Sequence, residues 1–223
     1  RLNFNNPVGK TAYFMSQSPT QNGLKFKASS ATYSLSDYLL TIDGVPEIFP
    51  GDSKMVPDSG RVYVEPLAIM RTLYKANILC DTTHQYHKIS NATVDILGRK
   101  RYEGSGDYDY VDGNSVKHHI HFSRIGVDTT FQTIASGEIS DSNALALSLQ
   151  FLFKGDVHLA ASEEFLTFSG YARPNFICER IEKNWIRFSS RINPAEVSIP
   201  IVNPVTDNGT KLSTAIAQAS DTT

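Results

Sequence analysis

The chain has 223 residues, of which 40% are hydrophobic and 20% are charged, and its formal net charge at pH 7 is −2. This apolar content allows one sizeable core, since all-β domains often reach about 200–250 residues as a single unit. The near-neutral charge excludes a globally basic nucleic-acid binder, although a local basic patch could still contact nucleic acid. No run approaches the roughly 18–20 apolar residues of a bilayer-spanning helix, so we expect no membrane span.

The two ends of the chain are predicted to be extended arms. Residues 1–23 have no sustained hydrophobic period and contain several Pro, Gly and Asn residues, which break regular structure. Residues 193–223 contain Asn-Pro and Ile-Pro pairs and a tail rich in Ser, Thr and Ala, with one edge strand expected at Val197–Val202. A single β-sandwich domain is therefore expected between them, at residues 24–192.

The first part of this domain combines short strands with a long loop. Alternating apolar patches in residues 24–40 predict two strands or a bent hairpin, and Arg61–Val64 is predicted to be a short strand. The intervening segment, Ile42–Gly60, is rich in Pro and Gly and predicts a long surface loop.

One helix is predicted near residues 65–80. Pro66 suits the first position of a helix, and apolar side chains then recur at helical spacing, at Leu67, Met70, Tyr74 and Ile78. We expect this helix to pack across one end or one face of a sheet.

The strongest strand signal is Ala144–Phe153, which we expect to be the central strand. Large apolar residues occupy every second position, at Leu145, Leu147, Leu149, Phe151 and Phe153. This period of two is typical of a strand with one buried face. Turns are predicted at Tyr102–Gly113 and at Lys154–Asp156. Further strands are predicted at 92–96, 116–125, 131–139, 157–161, 165–168, 175–177 and 185–188.

These elements together indicate a mainly β protein. About ten short strands with regular turn signals, and no alternating strand–helix units, predict an antiparallel β-sandwich, jelly-roll-like, with the one packed helix and the two terminal arms.

Histidines give the sharpest chemical candidate. His119 and His121 alternate on one face of a predicted strand, and His158 follows in another strand. The pattern Gly113-x5-His119-x-His121, followed by Gly155-x2-His158, resembles fragments of the two cupin motifs. That resemblance implies a double-sheet β fold with a metal held by imidazoles, which suit Zn²⁺, Fe²⁺ or Ni²⁺. The alternative is that these histidines belong to a solvated strand face.

The same segment departs from the cupin pattern at three places. The glutamate expected after the second histidine is missing, because Ile125 and Gly126 stand there, and Phe153 and Ser162 replace the proline and asparagine of the second motif. The chain contains no complete catalytic constellation, so whether it is an enzyme stays open, with a non-enzymatic role favoured. No cofactor is expected apart from this possible metal.

Tyrosines and basic residues suggest contact surfaces. Tyr102, Tyr108 and Tyr110 could form an interface, since tyrosine is favoured there, or they could pack under a loop. A small basic cluster, Lys88 with Arg99–Arg101, could contact nucleic acid beside Tyr102 or could be a solvated strand end. Cys80 and Cys178 could be bonded, or both could be buried free thiols.

Three functions follow, from different classes. The first is a structural subunit of a larger assembly, in the form of a viral capsid-type jelly roll, whose polar arms contact other copies or sister subunits in a virion or outside the cell. The second is a cupin-like metal protein or enzyme using His119, His121 and His158. The third is a secreted carbohydrate- or protein-binding β-sandwich module.

Overall fold

The computed structural model describes residues 2–5, 12–176, 183–201 and 203–212. Within them the chain forms sixteen β-strands and three short 3₁₀ turns, and no α-helix. The strands are β1 Leu2–Asn5, β2 Ala12–Met15, β3 Lys25–Ala28, β4 Ser30–Ser34, β5 Leu39–Asp43, β6 Lys54–Val56, β7 Arg61–Val64, β8 Leu73–Cys80, β9 His87–Gly98, β10 Arg101–Val111, β11 Lys117–Val127, β12 Thr133–Ile139, β13 Leu145–Ser148, β14 Phe151–Ala160, β15 Thr167–Pro174 and β16 Ile186–Arg191.

A ten-stranded antiparallel sheet forms most of the protein. Its order is β16-β15-β14-β12-β11-β10-β9-β8-β6, and β13 pairs with β14 outside this path. From β8 to β16 the strands therefore follow one another as a meander. This confirms the predicted mainly β, antiparallel, sandwich-like class, while the connectivity differs from the Greek-key order of a jelly roll.

A four-stranded sheet and a hairpin complete the fold. The small sheet has the order β1-β4-β5-β7, and β2 pairs with β3. Side chains from both sheets, such as Ile42 and Val62 from the small one and Ile78 and Phe122 from the large one, belong to one continuous buried cluster. The single predicted core is thus formed between two sheets, each of which buries one face.

The large sheet is strongly curved because β10 has bulges against both of its neighbouring strands at nearly the same position along its length. The pairing of β10 shifts register near Gly104 and Gly106 against both β9 and β11. A Cβ atom on Gly104 would lie 2.4 Å from the carbonyl oxygen of Thr93, and one on Gly106 would lie 2.7 Å from Ile89 Cγ2. Only glycine allows this approach, and bulges increase local twist. Curvature brings Tyr110 of β10 within 5.5 Å of Phe168 of β15, measured between ring centroids.

The predicted helix near residues 65–80 is wrong. The segment forms a 3₁₀ turn at Pro66–Ala68 and then β8. Ile78 is buried as the helical pattern required, but Tyr74 is 68% exposed and Leu67 is 85% exposed. Lys75 has a positive φ of 53°, which breaks the strict alternation of buried residues along β8. The buried apolar residues of this strand are Leu73, Ala76, Ile78 and Cys80. The bulge at Lys75 thus interrupts the two-residue period of the strand, and the resulting spacing of apolar residues in the sequence resembles that of a helix.

The predicted central strand is extended but is not one strand. β13 and the start of β14 form a hairpin whose turn contains Leu149, which is 70% exposed. The predicted turn at Lys154–Asp156 lies inside β14, where Gly155 faces Gly170 of β15. A Cβ on Gly155 would lie 2.7 Å from the Gly170 Cα, so this glycine allows close strand approach. Likewise, most of the predicted turn-rich segment Tyr102–Gly113 is strand β10.

The described parts of the two predicted arms lie against the domain. Leu2–Asn5 pairs with β4 and Ala12–Met15 with β3. Val197 and Ile199 pack against the core, and Lys154 Nζ lies 2.9 Å from Asp207 Oδ2. No strand occurs at residues 197–201, and Val202 and the last eleven residues lie outside the described residues. The segment Ile42–Gly60 likewise contains β6 and buried Ile48, so it is more than a surface loop.

Candidate functional site

The three candidate metal-ligating histidines lie on the exposed face of the large sheet but not together. His119 and His121 are on β11, whereas His158 is on β14, and β12 separates these strands. Across the part of the chain that the structure describes, no group of three His, Cys, Asp or Glu side chains could hold a metal ion. The metal site predicted from the cupin resemblance therefore stays a prediction, and the described residues do not bring its three histidines together.

His119 and His121 instead form a cross-strand ladder with acidic residues of β10. Asp107 lies opposite His121 and Asp109 opposite His119, with N–O distances of 2.8 and 2.7 Å. The hydrogen bond from His121 lowers the pKa of Asp107, and the hydrogen bond from Lys117 lowers that of Asp109. Hydrogen-bonded side-chain pairs that face each other on neighbouring strands support the sheet, so this ladder has a sufficient structural role.

The three tyrosines proposed as an interface point into the core. Tyr102 is 0% exposed, Tyr110 is 3% exposed, and Tyr108 is partly buried. The Tyr102 hydroxyl bonds with Ser53 Oγ at 2.8 Å and with Thr133 Oγ1 at 2.6 Å. Within this chain these tyrosines pack in or against the core, and an interface role for them stays a prediction.

The basic cluster is split by the length of β9. Lys88 lies near its start, whereas Arg99 and Lys100 lie in the turn that follows its end. Tyr102 is buried and cannot stack on a base, and Lys100 Nζ lies 4.7 Å from the Phe131 ring. Cys80 is a fully buried free thiol, and Cys178 lies outside the described residues.

A groove of about 830 Å³ lies across the exposed face of the large sheet, and we call it the outer groove. Its walls come from β10, β11, β12, β14 and β15. Two rows of residues that run perpendicular to the strands cross it, and Glu103 and Ser123 also line it. A third row borders it.

The basic row contains Arg124, Ser136, His158 and Thr167, which lie directly opposite one another on successive strands. Neighbouring strands are about 4.8 Å apart, so the Cα atoms of Arg124 and His158 lie roughly 10 Å apart with Ser136 between them. Arg124 and His158 are both exposed, and neither has an ion pair or side-chain hydrogen bond among the described residues.

An apolar row and an acidic row flank the basic row on opposite sides. Gly126, Ile134 and Ala160 are aligned across β11, β12 and β14, and Ile134 is 42% exposed. On the other side Glu138 lies directly opposite Asp156, and both are exposed. Two carboxylates at facing positions repel each other. The exposed face of the sheet therefore changes over three adjacent rows from acidic to basic to apolar.

A bulge in β11 lies at one end of the basic row. Gly104 pairs with Ile125, whereas Gly106 pairs with Phe122, so Ser123 and Arg124 together oppose the single residue Ser105. Both Ser123 and Arg124 are consequently exposed, although strict alternation would bury one of them. The bulge therefore places two consecutive polar side chains, Ser123 and Arg124, on the same exposed sheet face.

A second concavity shares no residue with the outer groove. This apolar crevice, of about 190 Å³, lies between the β2–β3 hairpin and strands β5 and β7. Its lining is mostly hydrophobic, and includes Phe14, Met15, Leu24, Phe26, Leu40, Ile42, Val64, Ala68 and Met70. Met15 at its rim is 57% exposed, and Ile69 beside it is 53% exposed.

Leu67 projects beside this crevice from a strained turn. It is the most exposed large apolar side chain of the described residues, at 85%. Leu67 and Ala68 both have φ of 64°, in the left-handed region that costs roughly 1–2 kcal/mol for a non-glycine residue. The turn is held by the Gln21 side chain, which donates to the Ala68 carbonyl, and by the 2.7 Å bond from the Glu65 N–H to the Ile69 carbonyl.

Comparison with protein-family models, with curated proteins and with solved structures gave no match. Among the described residues, no helix has the length and hydrophobicity needed to cross a membrane.

Of the basic row, the sequence patterns singled out only His158, as a candidate metal ligand. Arg124, Ser136 and Ile134 are ordinary strand residues, and only the pairing register aligns them. No sequence signal marked Leu67, because leucine and alanine rarely adopt the left-handed conformation that this turn requires.

Proposed function

We propose that the protein is a structural subunit of a larger assembly, which contacts other copies of itself through the apolar crevice and Leu67. The observation that carries this proposal is the exposed Leu67 in a left-handed turn. Residues held in strained backbone conformations concentrate at functional sites, where the surrounding structure maintains them. A large apolar side chain held in water by such a turn is best explained by a partner that covers it.

The shape of this surface favours a second copy as that partner. Leu67 projects next to Ala68, which lines the crevice, so protrusion and cavity lie side by side. A two-fold axis through the patch would place the Leu67 side chain of each copy over the crevice of the other, because a two-fold interface joins the same patch on both subunits. Exposed Met15 and Ile69 would add apolar area around this contact.

The viral capsid form of the proposal has less support than the general form. It was motivated by a jelly roll with free arms, whereas the large sheet is a meander and the described parts of the arms pack on their own domain. A location in a virion or outside the cell stays a prediction.

The test is the mass of the purified protein as a function of concentration, measured by sedimentation or light scattering. We expect the natural chain to associate and Leu67→Asn to shift it towards the monomer. Leu149→Asn is the matched control, because Leu149 is also a turn leucine and is 70% exposed. A natural chain that stays monomeric at all concentrations, or a Leu67→Asn variant that associates equally well, would overturn the proposal.

A further inference from the structure

We propose that the outer groove binds an amphiphile with an anionic head and an unbranched apolar chain. This site is independent of the proposed assembly surface, because it uses β10 to β15 and shares no residue with the apolar crevice. The anion could be the carboxylate of a fatty acid or the phosphate of a lipid, since both suit the same donors.

The head-group position follows from the basic row. Arg124 and His158 stand two strands apart with the Ser136 hydroxyl between them, so an anion above Ser136 is within reach of both side chains. Guanidinium groups form strong paired hydrogen bonds to carboxylate and phosphate oxygens. On this sheet face His121 is paired with Asp107 and Lys154 with Asp207, whereas Arg124 and His158 have no such partner among the described residues. Arg124 and His158 thus remain available to a ligand.

The direction of the apolar chain follows from the two flanking rows. Glu138 and Asp156 on one side repel an anion and offer no apolar surface. On the other side Gly126, Ile134 and Ala160 present small or apolar side chains that leave room above the sheet. A ligand with its head on the basic row would therefore lay its chain along the apolar row.

The size and composition of the groove also suit such a ligand. Sites for small molecules typically have volumes of about 300–1,000 Å³, mostly apolar walls and a few placed polar groups. The outer groove, at about 830 Å³, lies within this range, and it combines Ile134 and Ala160 with the hydroxyls of Ser123, Ser136 and Thr167. It extends over five strands, which is roughly 19 Å at normal strand spacing.

The test is calorimetric titration of the full chain with laurate, dodecyl phosphate and inorganic phosphate, each kept monomeric in solution. We expect both amphiphiles to bind at least about tenfold more tightly than inorganic phosphate, because only they use the apolar row. Tighter binding of laurate or of dodecyl phosphate would identify the head group as carboxylate or phosphate. Equal binding of all three probes, or no binding of the amphiphiles, would overturn the proposal.

Variants locate the site. Arg124→Gln should weaken amphiphile binding by about tenfold or more, in line with loss of a hydrogen bond to a charged group. Arg187→Gln is the matched control, since Arg187 is exposed on β16 outside the groove. Glu138→Gln should strengthen binding, because it removes a repelling charge. Equal weakening by Arg124→Gln and Arg187→Gln would show non-specific charge attraction and would contradict the proposed site.

Discussion

The Nε2 atom of His87 lies 2.6 Å from the carbonyl oxygen of Glu163 and joins the start of β9 to the turn between β14 and β15. Since a carbonyl only accepts, Nε2 carries the proton, and Nδ1 accepts from the Tyr108 hydroxyl at 3.0 Å. His87 is 1% exposed. The hydrogen-bond pattern therefore holds a neutral imidazole inside the rolled sheet.

This arrangement predicts loss of stability on acidification. Burial lowers the pKa of His87 below its usual value of 6.5, against the opposing effect of the Glu163 carbonyl. The unfolded chain then binds a proton at higher pH than the folded chain does, so the contribution of His87 is complete above about pH 6.5 and declines as pH falls through the folded pKa. Urea unfolding between pH 8 and pH 5 should show this decline.

His87→Gln supplies the comparison for this prediction. This variant should lower the free energy of unfolding at pH 8, because it alters the hydrogen bonds with Tyr108 and Glu163. It should also reduce the dependence of that free energy on pH between 8 and 5. A variant that keeps the full pH dependence of the natural chain would show that another group causes it.

The close approach at Gly104 predicts a cost for the smallest added side chain. A methyl group there would lie 2.4 Å from the Thr93 carbonyl oxygen, so Gly104→Ala should lower the free energy of unfolding by about 1–3 kcal/mol. At Gly126 the nearest atom is the Tyr102 carbonyl oxygen at 3.4 Å, so Gly126→Ala should cost less. Denaturant unfolding measures both, and equal costs would contradict the steric explanation.

Two buried tyrosines should respond in opposite ways to loss of the hydroxyl. Among the described residues, the Tyr110 hydroxyl is the only fully buried side-chain oxygen or nitrogen without a partner, whereas that of Tyr102 bonds with Ser53 and Thr133. Tyr110→Phe should raise stability by about 1 kcal/mol, because it removes an unsatisfied polar group. Tyr102→Phe should lower it by about 1 kcal/mol or more. Thermal unfolding of the two variants tests the contrast, and a loss of stability in Tyr110→Phe would indicate an unseen partner.

The Cys80 thiol should be inert while the protein is folded. It is 0% exposed, and burial raises its pKa to about 12, so almost no thiolate forms at neutral pH. In a Cys178→Ser variant, which leaves Cys80 as the only thiol, a thiol reagent should react fully after unfolding and very slowly before it. Rapid labelling of the folded variant would contradict the buried position.

Patterning alone was sufficient for the fold class but not for the strand boundaries. Arg61–Val64 was predicted correctly because polar punctuation surrounds it. The hairpin at Leu149 was missed because leucine occupies its turn and the period of two continues through it. The helix near residues 65–80 was predicted in error because the bulge at Lys75 breaks the alternation of β8.

The two proposed functional surfaces were beyond prediction for a different reason. Arg124, Ser136 and His158 are twelve or more residues apart in the chain, and their alignment depends on the register of three strands. Register is set by packing of the whole sheet, and the bulge at Ser123 and Arg124 shifts it without any distinctive residue. The exposure of Leu67 depends equally on a backbone conformation that leucine rarely adopts.

The meander order has a consequence for how the chain folds. From β8 onwards each new strand can zip onto its predecessor through a local hairpin, and folds dominated by local pairing tend to form quickly. The contacts between Asp52 and Thr133 and between His87 and Glu163 join residues 81 and 76 positions apart, so their loop-closure entropy is largest. We expect the strands from β8 onwards to pair rapidly with their neighbours. The distant contacts then form in a later step.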